Sequence, residues 1–181
     1  MQKISFIKDK NMATIIRQSY IDKIEKYLGK ETIIVLVGQR RVGKSCMMKM
    51  ISNRKKADDG NNIIYIDKEK REFDNIQTYQ DLNDYIGEHF LSDKHNYILI
   101  DEIQDIKDFE RSIRSYRTEP NTDIIITGSN ARMLSNELST LIGGRYKEIY
   151  IQSLSYNEFL EFHQLSDNDE ALALYIQYGG L

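Results

Sequence analysis

Apolar positions in this chain fall into two kinds of run. Between residues 13 and 28 they sit at Ile15, Ile16, Tyr20, Ile21, Ile24, Tyr27 and Leu28, a recurrence close to 3.6 residues that predicts an amphipathic helix. Gly29 then supplies a stop signal. The segment TIIVLV (32–37) has no such spacing. It is continuously apolar and rich in β-branched residues, as expected of a strand covered on both faces. Met47, Met48, Met50 and Ile51 restore helical spacing after Gly43, and NIIYID (62–67) predicts a second strand. Tyr79, Leu82, Tyr85, Ile86 and Phe90 mark a further helix, followed by a third strand at YILID (97–101). Ile106, Phe109, Ile113 and Tyr116 then predict a helix, and DIIITG (123–128) a fourth strand. After a short helical or loop segment, YKEIYI (146–151) reads as a fifth and more exposed strand.

Strands alternating with helices predict an α/β three-layer sandwich, with a mainly parallel five-stranded sheet between two helical layers. Ligands of such sheets bind beyond the carboxyl ends of the strands. That rule gathers the strand ends near Gly38, Asp101 and Thr127 on one edge. Further on, Ser155 and Glu158 form a capping box, with Leu154 and Phe159 at the two staple positions. Asp167, three residues before Glu170, is placed to cap another helix running through Leu172, Leu174 and Tyr175. These two helices read as the opening of a helical subdomain. The ending YIQYGGL, an unfinished helical turn, reads as the end of an excised fragment.

At 181 residues, 40% hydrophobic and 29% charged, the chain suits a soluble globular domain, or one domain with part of a second. A net charge of −3 excludes a whole-chain field that recruits nucleic acid. Arg54, Lys55 and Lys56 form only a short basic cluster, which reads as a solvated helix end. The single cysteine, Cys46, has no disulfide partner within the chain. One thiol with the scattered His89, His95 and His163 makes no zinc site, and a cytoplasmic location is expected. No stretch is long and apolar enough to cross a bilayer as a helix.

The chemistry is concentrated between the first strand and the helix after it. Gly38-Gln39-Arg40-Arg41-Val42-Gly43-Lys44-Ser45 satisfies G-x-x-x-x-G-K-[ST], the phosphate-binding P-loop or Walker A pattern. The glycines allow backbone conformations and close approach that a Cβ blocks. Successive N–H groups and the helix N-terminus then favour an anion. Lys44 reaches the β- and γ-phosphates and the Ser45 hydroxyl ligates Mg²⁺. The expected nucleotide-binding set runs from Gly38 through Cys46, with ATP and Mg²⁺ as cofactors.

Tyr97-Ile98-Leu99-Ile100-Asp101-Glu102 supplies a second half, the Walker B pattern of additional-strand, catalytic-glutamate ATPases. On this pattern Asp101 holds magnesium through its water shell and Glu102 orients and polarises the attacking water. One carboxylate is neutralised by metal while the next is aimed at the nucleophile. Strand four ends in Thr127-Gly128-Ser129-Asn130, where Asn130 or Ser129 is either a sensor of the γ-phosphate or simply the cap of the next helix. Arg145, after Gly143 and Gly144, is either an arginine finger supplied in trans or an exposed structural arginine. Arg40 and Arg41 face the phosphates, meet a neighbouring subunit or stay solvated.

In order and spacing, GQRRVGKS, YILIDEIQ, IIITGSNARML and STLIGGRYKEIYIQSLSYNEFLEF resemble a family of prokaryotic AAA-like ATPases. The Walker motifs are widely shared, and the segment from Gly144 to Phe162 is the more specific marker. The resemblance implies a magnesium-dependent ATPase acting as a switch or motor module. It also implies the N-terminal ATPase domain of a longer protein with winged-helix-like and nuclease-like C-terminal regions. It carries nucleotide and magnesium binding to Lys44 and Ser45, hydrolysis to Asp101 and Glu102, and a finger role to Arg145, with homo-oligomerisation through that arginine. Phe109 departs from the pattern, standing where members often have tryptophan. The expected divisions are an N-terminal amphipathic segment over 1–30, the P-loop ATPase core over 31–153, and the start of a helical subdomain over 154–181. The competing function is a nucleotide-dependent module that binds DNA or protein and hydrolyses little in isolation. A small-molecule kinase needs no adjacent Asp-Glu pair, and no N-K-x-D segment marks a GTPase.

Overall fold

A computed structural model describes residues 15–128 and 145–180 of the chain. Five strands form one sheet: β1 (Ile33–Val37), β2 (Asn61–Asp67), β3 (His95–Asp101), β4 (Thr122–Thr127) and β5 (Tyr146–Tyr150). Their order across the sheet is β2-β3-β4-β1-β5, and every neighbouring pair is parallel. All strands therefore end on the same edge. This is the α/β architecture that the alternating runs predict.

Successive side chains of a strand point to opposite faces, and the sheet separates its apolar residues accordingly. Ile33, Val35 and Val37, with Ile64, Ile66, Ile98, Ile100, Ile124 and Ile126, pack beneath α3 (Tyr79–His89) and α4 (Glu110–Tyr116). Ile34 and Leu36, with Tyr97, Leu99 and Ile125, pack against α1 (Gln18–Glu25) and α2 (Lys44–Lys56). Every residue of β1 is fully buried, which is why its sequence shows no alternation. Burying each such Ile or Val contributes about 1.5–3 kcal/mol relative to leaving it in water. β5 forms one edge of the sheet and is the most exposed strand, with only Ile149 buried.

Three readings are corrected in detail. Of the helix expected over 13–28, the described residues are helical only over Gln18–Glu25, and Tyr27 and Leu28 lie in turns that run on to Glu31. The helix expected from Ile106 begins only at Glu110. Asp108 adopts φ 57°, a left-handed conformation that a helix cannot pass through, and Ile103–Asp105 forms a separate 3₁₀ turn. Ile106 and Phe109 are buried core residues all the same.

Contacts divide the chain into two units, Arg17–Ser153 and a smaller one made of the residues up to Ile16 and those from Leu154 onward. In the smaller unit Ser155 and Glu158 close the expected capping box at the start of α5 (Tyr156–His163). The final helix, α6 (Asp169–Tyr178), is capped by Asn168, whose side chain accepts from the Ala171 amide at 2.8 Å. Asp167 instead accepts a hydrogen bond from the Tyr156 hydroxyl. The Tyr175 hydroxyl bonds to the Leu154 carbonyl, and the Leu154 amide to the Gly180 carbonyl.

Candidate nucleotide site

The loop between β1 and α2 is built by backbone conformations that few side chains tolerate. Gly38 has φ 151°, and a Cβ there would lie 2.3 Å from the Ile151 carbonyl oxygen. Gly43 has φ 95° and caps α2 without any side-chain bond. Arg41, with φ 68°, takes a left-handed conformation despite its side chain, at a cost of about 1–2 kcal/mol. With no side-chain cap at Gly43, the start of α2 follows the loop with the unsatisfied N–H groups that any helix N-terminus carries, which favour an anion.

Lys44 is buried and folds back over this loop. Its Nζ donates to the carbonyls of Gly38 at 3.1 Å and Gln39 at 2.9 Å. Val42 is buried in the core on the α2 face, while Gln39, Arg40 and Arg41 are exposed. The loop is tied from behind by Arg17, whose guanidinium donates to the carbonyls of Gln152, Ser153 and Val42 and stacks over Tyr20. In front lies an open cleft of about 440 Å³, lined by Arg40, Arg41, Gly43, Lys44, Ser45, Cys46, Glu69 and Glu102. Loop and β3 end therefore meet at one cleft, as the two motifs require.

Behind the cleft the strands deliver a row of polar groups. By the two-residue alternation, Thr127, Asp101 and Asp67 fall on the α2 face at the carboxyl ends of β4, β3 and β2. Thr127 is fully buried. Its hydroxyl donates to Asp101 Oδ1 and accepts from the Glu102 amide at 3.0 Å. One threonine therefore fixes both adjacent carboxylate residues. Glu102 takes φ 54°, and its Oε2 accepts from Gln104 Nε2 at 2.6 Å.

Asp101 Oδ2 is buried and makes no hydrogen bond of full geometry among the described residues, with the neutral Tyr65 hydroxyl as its neighbour. A buried carboxylate oxygen left this way is costly unless a cation or its water shell meets it. With the half-buried Ser45 hydroxyl at the cleft, this donor set fits a hydrated magnesium ion, which takes few protein ligands beside phosphate oxygens. The Tyr65 hydroxyl is buried as well and lies near the Asp101 carboxylate without reaching full hydrogen-bond geometry. Burial first, then the carboxylates of Asp101 and Asp67, push its phenol well above the usual range.

Sequence reasoning singled out neither Asp67 nor Tyr65, nor the bridging role of Thr127. A signal for Asp67 was present, since IIYID (63–67) and YILID (97–101) end in the same way. Asn130, the sensor candidate, and Ser129 lie outside the described residues, as do Gly143 and Gly144. Arg145 immediately precedes β5, and its carbonyl accepts from the Ile33 amide. It is exposed at the amino edge of the sheet, roughly 15 Å of strand away from its own loop. Arg54 and Lys55 pair with Glu25 at the end of α2, a local helix-end arrangement. No described helix is long and apolar enough to cross a membrane.

Among solved structures, the fold is similar to Cdc6p from Pyrobaculum aerophilum, with a TM-score of 0.60 and 12% identity over 91% of this chain and 52% of that one. It is likewise similar to AMPPCP-bound DnaA from Aquifex aeolicus, at 0.55 and 16% over 87% and 53%. An uncharacterized protein of Haemophilus influenzae is 35% identical over 175 residues, covering 93% of this chain and 44% of that protein. The chain spans less than half the length of the curated relatives it matches. The model of the AAA domain matches residues 30–160, the stretch that holds the loop, the paired carboxylates and all five strands, and the chain belongs to that family.

Proposed function

We propose that this chain binds ATP with magnesium at the cleft before α2 and hydrolyses it to ADP and phosphate, as a switch or motor module. One observation carries the reading. Lys44, Ser45 and Glu102 meet at a single cleft, with the buried Asp101 carboxylate, one oxygen of which makes no full-geometry hydrogen bond, behind it. The similarly folded DnaA holds AMPPCP, a nucleotide ligand in keeping with this reading.

On this reading the loop amides and the N-terminus of α2 receive the phosphates. Lys44 exchanges the Gly38 and Gln39 carbonyls for phosphate oxygens. Ser45 and Asp101 hold the magnesium ion, which neutralises charge on the phosphates when bound. Glu102 orients the attacking water and takes its proton, with Thr127 holding its backbone in place. The amino-edge position of Arg145 suits a finger offered to another copy's cleft, not to its own. The Lys44→Ala variant should lose binding of a fluorescent ATP analogue. Glu102→Gln should keep binding and stop phosphate release. Unchanged affinity in the lysine variant removes the proposal. Turnover per chain that rises with protein concentration supports the Arg145 role, and concentration-independent turnover removes it.

A second reading, nucleotide-dependent binding of DNA or protein with little hydrolysis, is favoured by a groove of about 460 Å³ beside β5. Lys23, Lys26 and Lys147 line it together with one carboxylate, Glu148, and with Tyr20, Tyr27 and the exposed Tyr150. ATP binding without measurable phosphate release at any protein concentration selects this reading.

A further inference from the structure

Asp67 and Asp101 stand opposite each other in the β2–β3 register, on neighbouring strands about 4.8 Å apart. Both are almost wholly buried, at 5% and 1% exposure. By strand alternation Asp67 and Asp101 both fall on the α2 face of the sheet, beside Tyr65 and Leu99 of the same face. Two carboxylates this close and this dry repel each other unless positive charge stands between them. Neither makes an ion pair with a basic side chain among the described residues. The two nearest lysines in sequence or site are engaged elsewhere, Lys44 on the loop carbonyls and Lys68 on the carbonyls of Phe73 and Ile76.

The hydrogen bond that Asp67 does make does not explain its charge. Its Oδ1 accepts from the Glu69 amide at 3.2 Å, closing the turn after β2. An asparagine carbonyl accepts that bond equally well, without setting a second negative charge beside Asp101. What the charge suits is a cation shared by the pair. Among the described residues no group of three or more His, Cys, Asp or Glu side chains gathers. That excludes an all-protein cage and leaves the sparser arrangement magnesium favours, one or two carboxylates with waters and phosphate oxygens.

We propose that Asp67 is a further residue of the magnesium–nucleotide site, its carboxylate sharing with Asp101 the water shell of the ion that accompanies ATP. This role rests on the ATP reading above and extends it to a strand that neither Walker motif includes. Asp67 acts as a positioning residue: it sets how tightly the ion is held, and with it the placement of the phosphates.

The test is a magnesium titration of the binding of a fluorescent ATP analogue, independent of turnover. In Asp67→Asn the half-saturating magnesium concentration should rise about 10- to 100-fold, the usual effect of losing an outer-shell partner. Affinity measured in EDTA should stay the same or improve, because the lost charge faced the phosphates. Asp67→Ser serves for the same readout should the asparagine variant not fold. A wild-type magnesium dependence in a folded variant overturns the proposal and leaves the ATP reading standing. Loss of affinity in EDTA equal to the loss in magnesium also overturns it, as the mark of a merely structural residue. Nucleotide binding by the native chain that ignores magnesium overturns this proposal and the metal reading together.

Discussion

Replacing Thr127 with valine isolates the contact on which the paired carboxylates depend. Valine keeps the shape of a fully buried side chain and removes its donor and its acceptor together. Asp101, whose Oδ2 already makes no hydrogen bond of full geometry among the described residues, then loses the bond to Oδ1 as well. The Glu102 amide loses its acceptor too. A hydrogen bond to a carboxylate is worth about 1.5–3 kcal/mol, and a buried orphan amide costs about 1–3. The extra apolar surface of valine returns about 1 kcal/mol. The net destabilisation should therefore be about 2–5 kcal/mol, a large share of the 5–15 kcal/mol typical of a domain. Urea unfolding followed by circular dichroism, in EDTA so that no cation compensates Asp101, reads this directly. With a slope of about 2 kcal/mol per molar, the midpoint should fall by about 1–2.5 M. Thr127→Ser keeps both bonds and loses one methyl group, so it should cost only about 1 kcal/mol. A valine variant within 1 kcal/mol of the native chain, or a serine variant less stable than the valine one, refutes the reasoning.

The two loop glycines should respond differently to alanine. At Gly38 the new methyl meets the Ile151 carbonyl at 2.3 Å and Val42 Cγ2 at 3.1 Å, so the backbone has to shift. At Gly43 it meets nothing within 4 Å, leaving only the strain of φ 95°. Thermal unfolding should show a loss of about 3–5 kcal/mol for Gly38→Ala against about 1–2 for Gly43→Ala. At the start of α3, Asp81 is held below its ordinary value of 3.8 by the Thr78 hydroxyl first, then by the amides of Thr78 and Gln77. A depressed folded value means that its contribution is complete above 3.8 and lost as pH falls through the lower one. The urea midpoints of the native chain and Asp81→Asn should therefore converge on going from about pH 5 to about pH 2.5, and a constant gap refutes the assignment.

The strands were legible because residues buried on both faces leave an unbroken β-branched run, and a run such as IIVLV permits few other readings. The beginning of α4 was misread for the opposite reason. Ile106, Phe109, Ile113 and Tyr116 carry helical spacing, yet the first two reach the core from outside the helix: Ile106 is extended, Lys107 bridges to Thr78 and Asp108 is left-handed. Single-residue φ values leave little trace in an apolar pattern. The glycine loop and the Asp-Glu pair were readable because each is contiguous in the chain. Thr127 and Asp67 were not singled out, because their parts depend on which strands lie side by side. The place of Arg145 was not read from the sequence, although parallel strands put a residue that precedes a strand at the opposite edge from one that follows it.

The strand order also has a kinetic side. β1 pairs with β4 and β5 alone, partners that follow it by about 90–115 residues, and closing such distant contacts is slow. Until both have been made and docked, the glycine turn has only one anchored end, and the Ile151 carbonyl that limits the space at Gly38 is not yet in place. In a chain emerging amino-end first, the segment that carries the loop appears early and matures among the last, so a half-made molecule is built without a competent anion cradle.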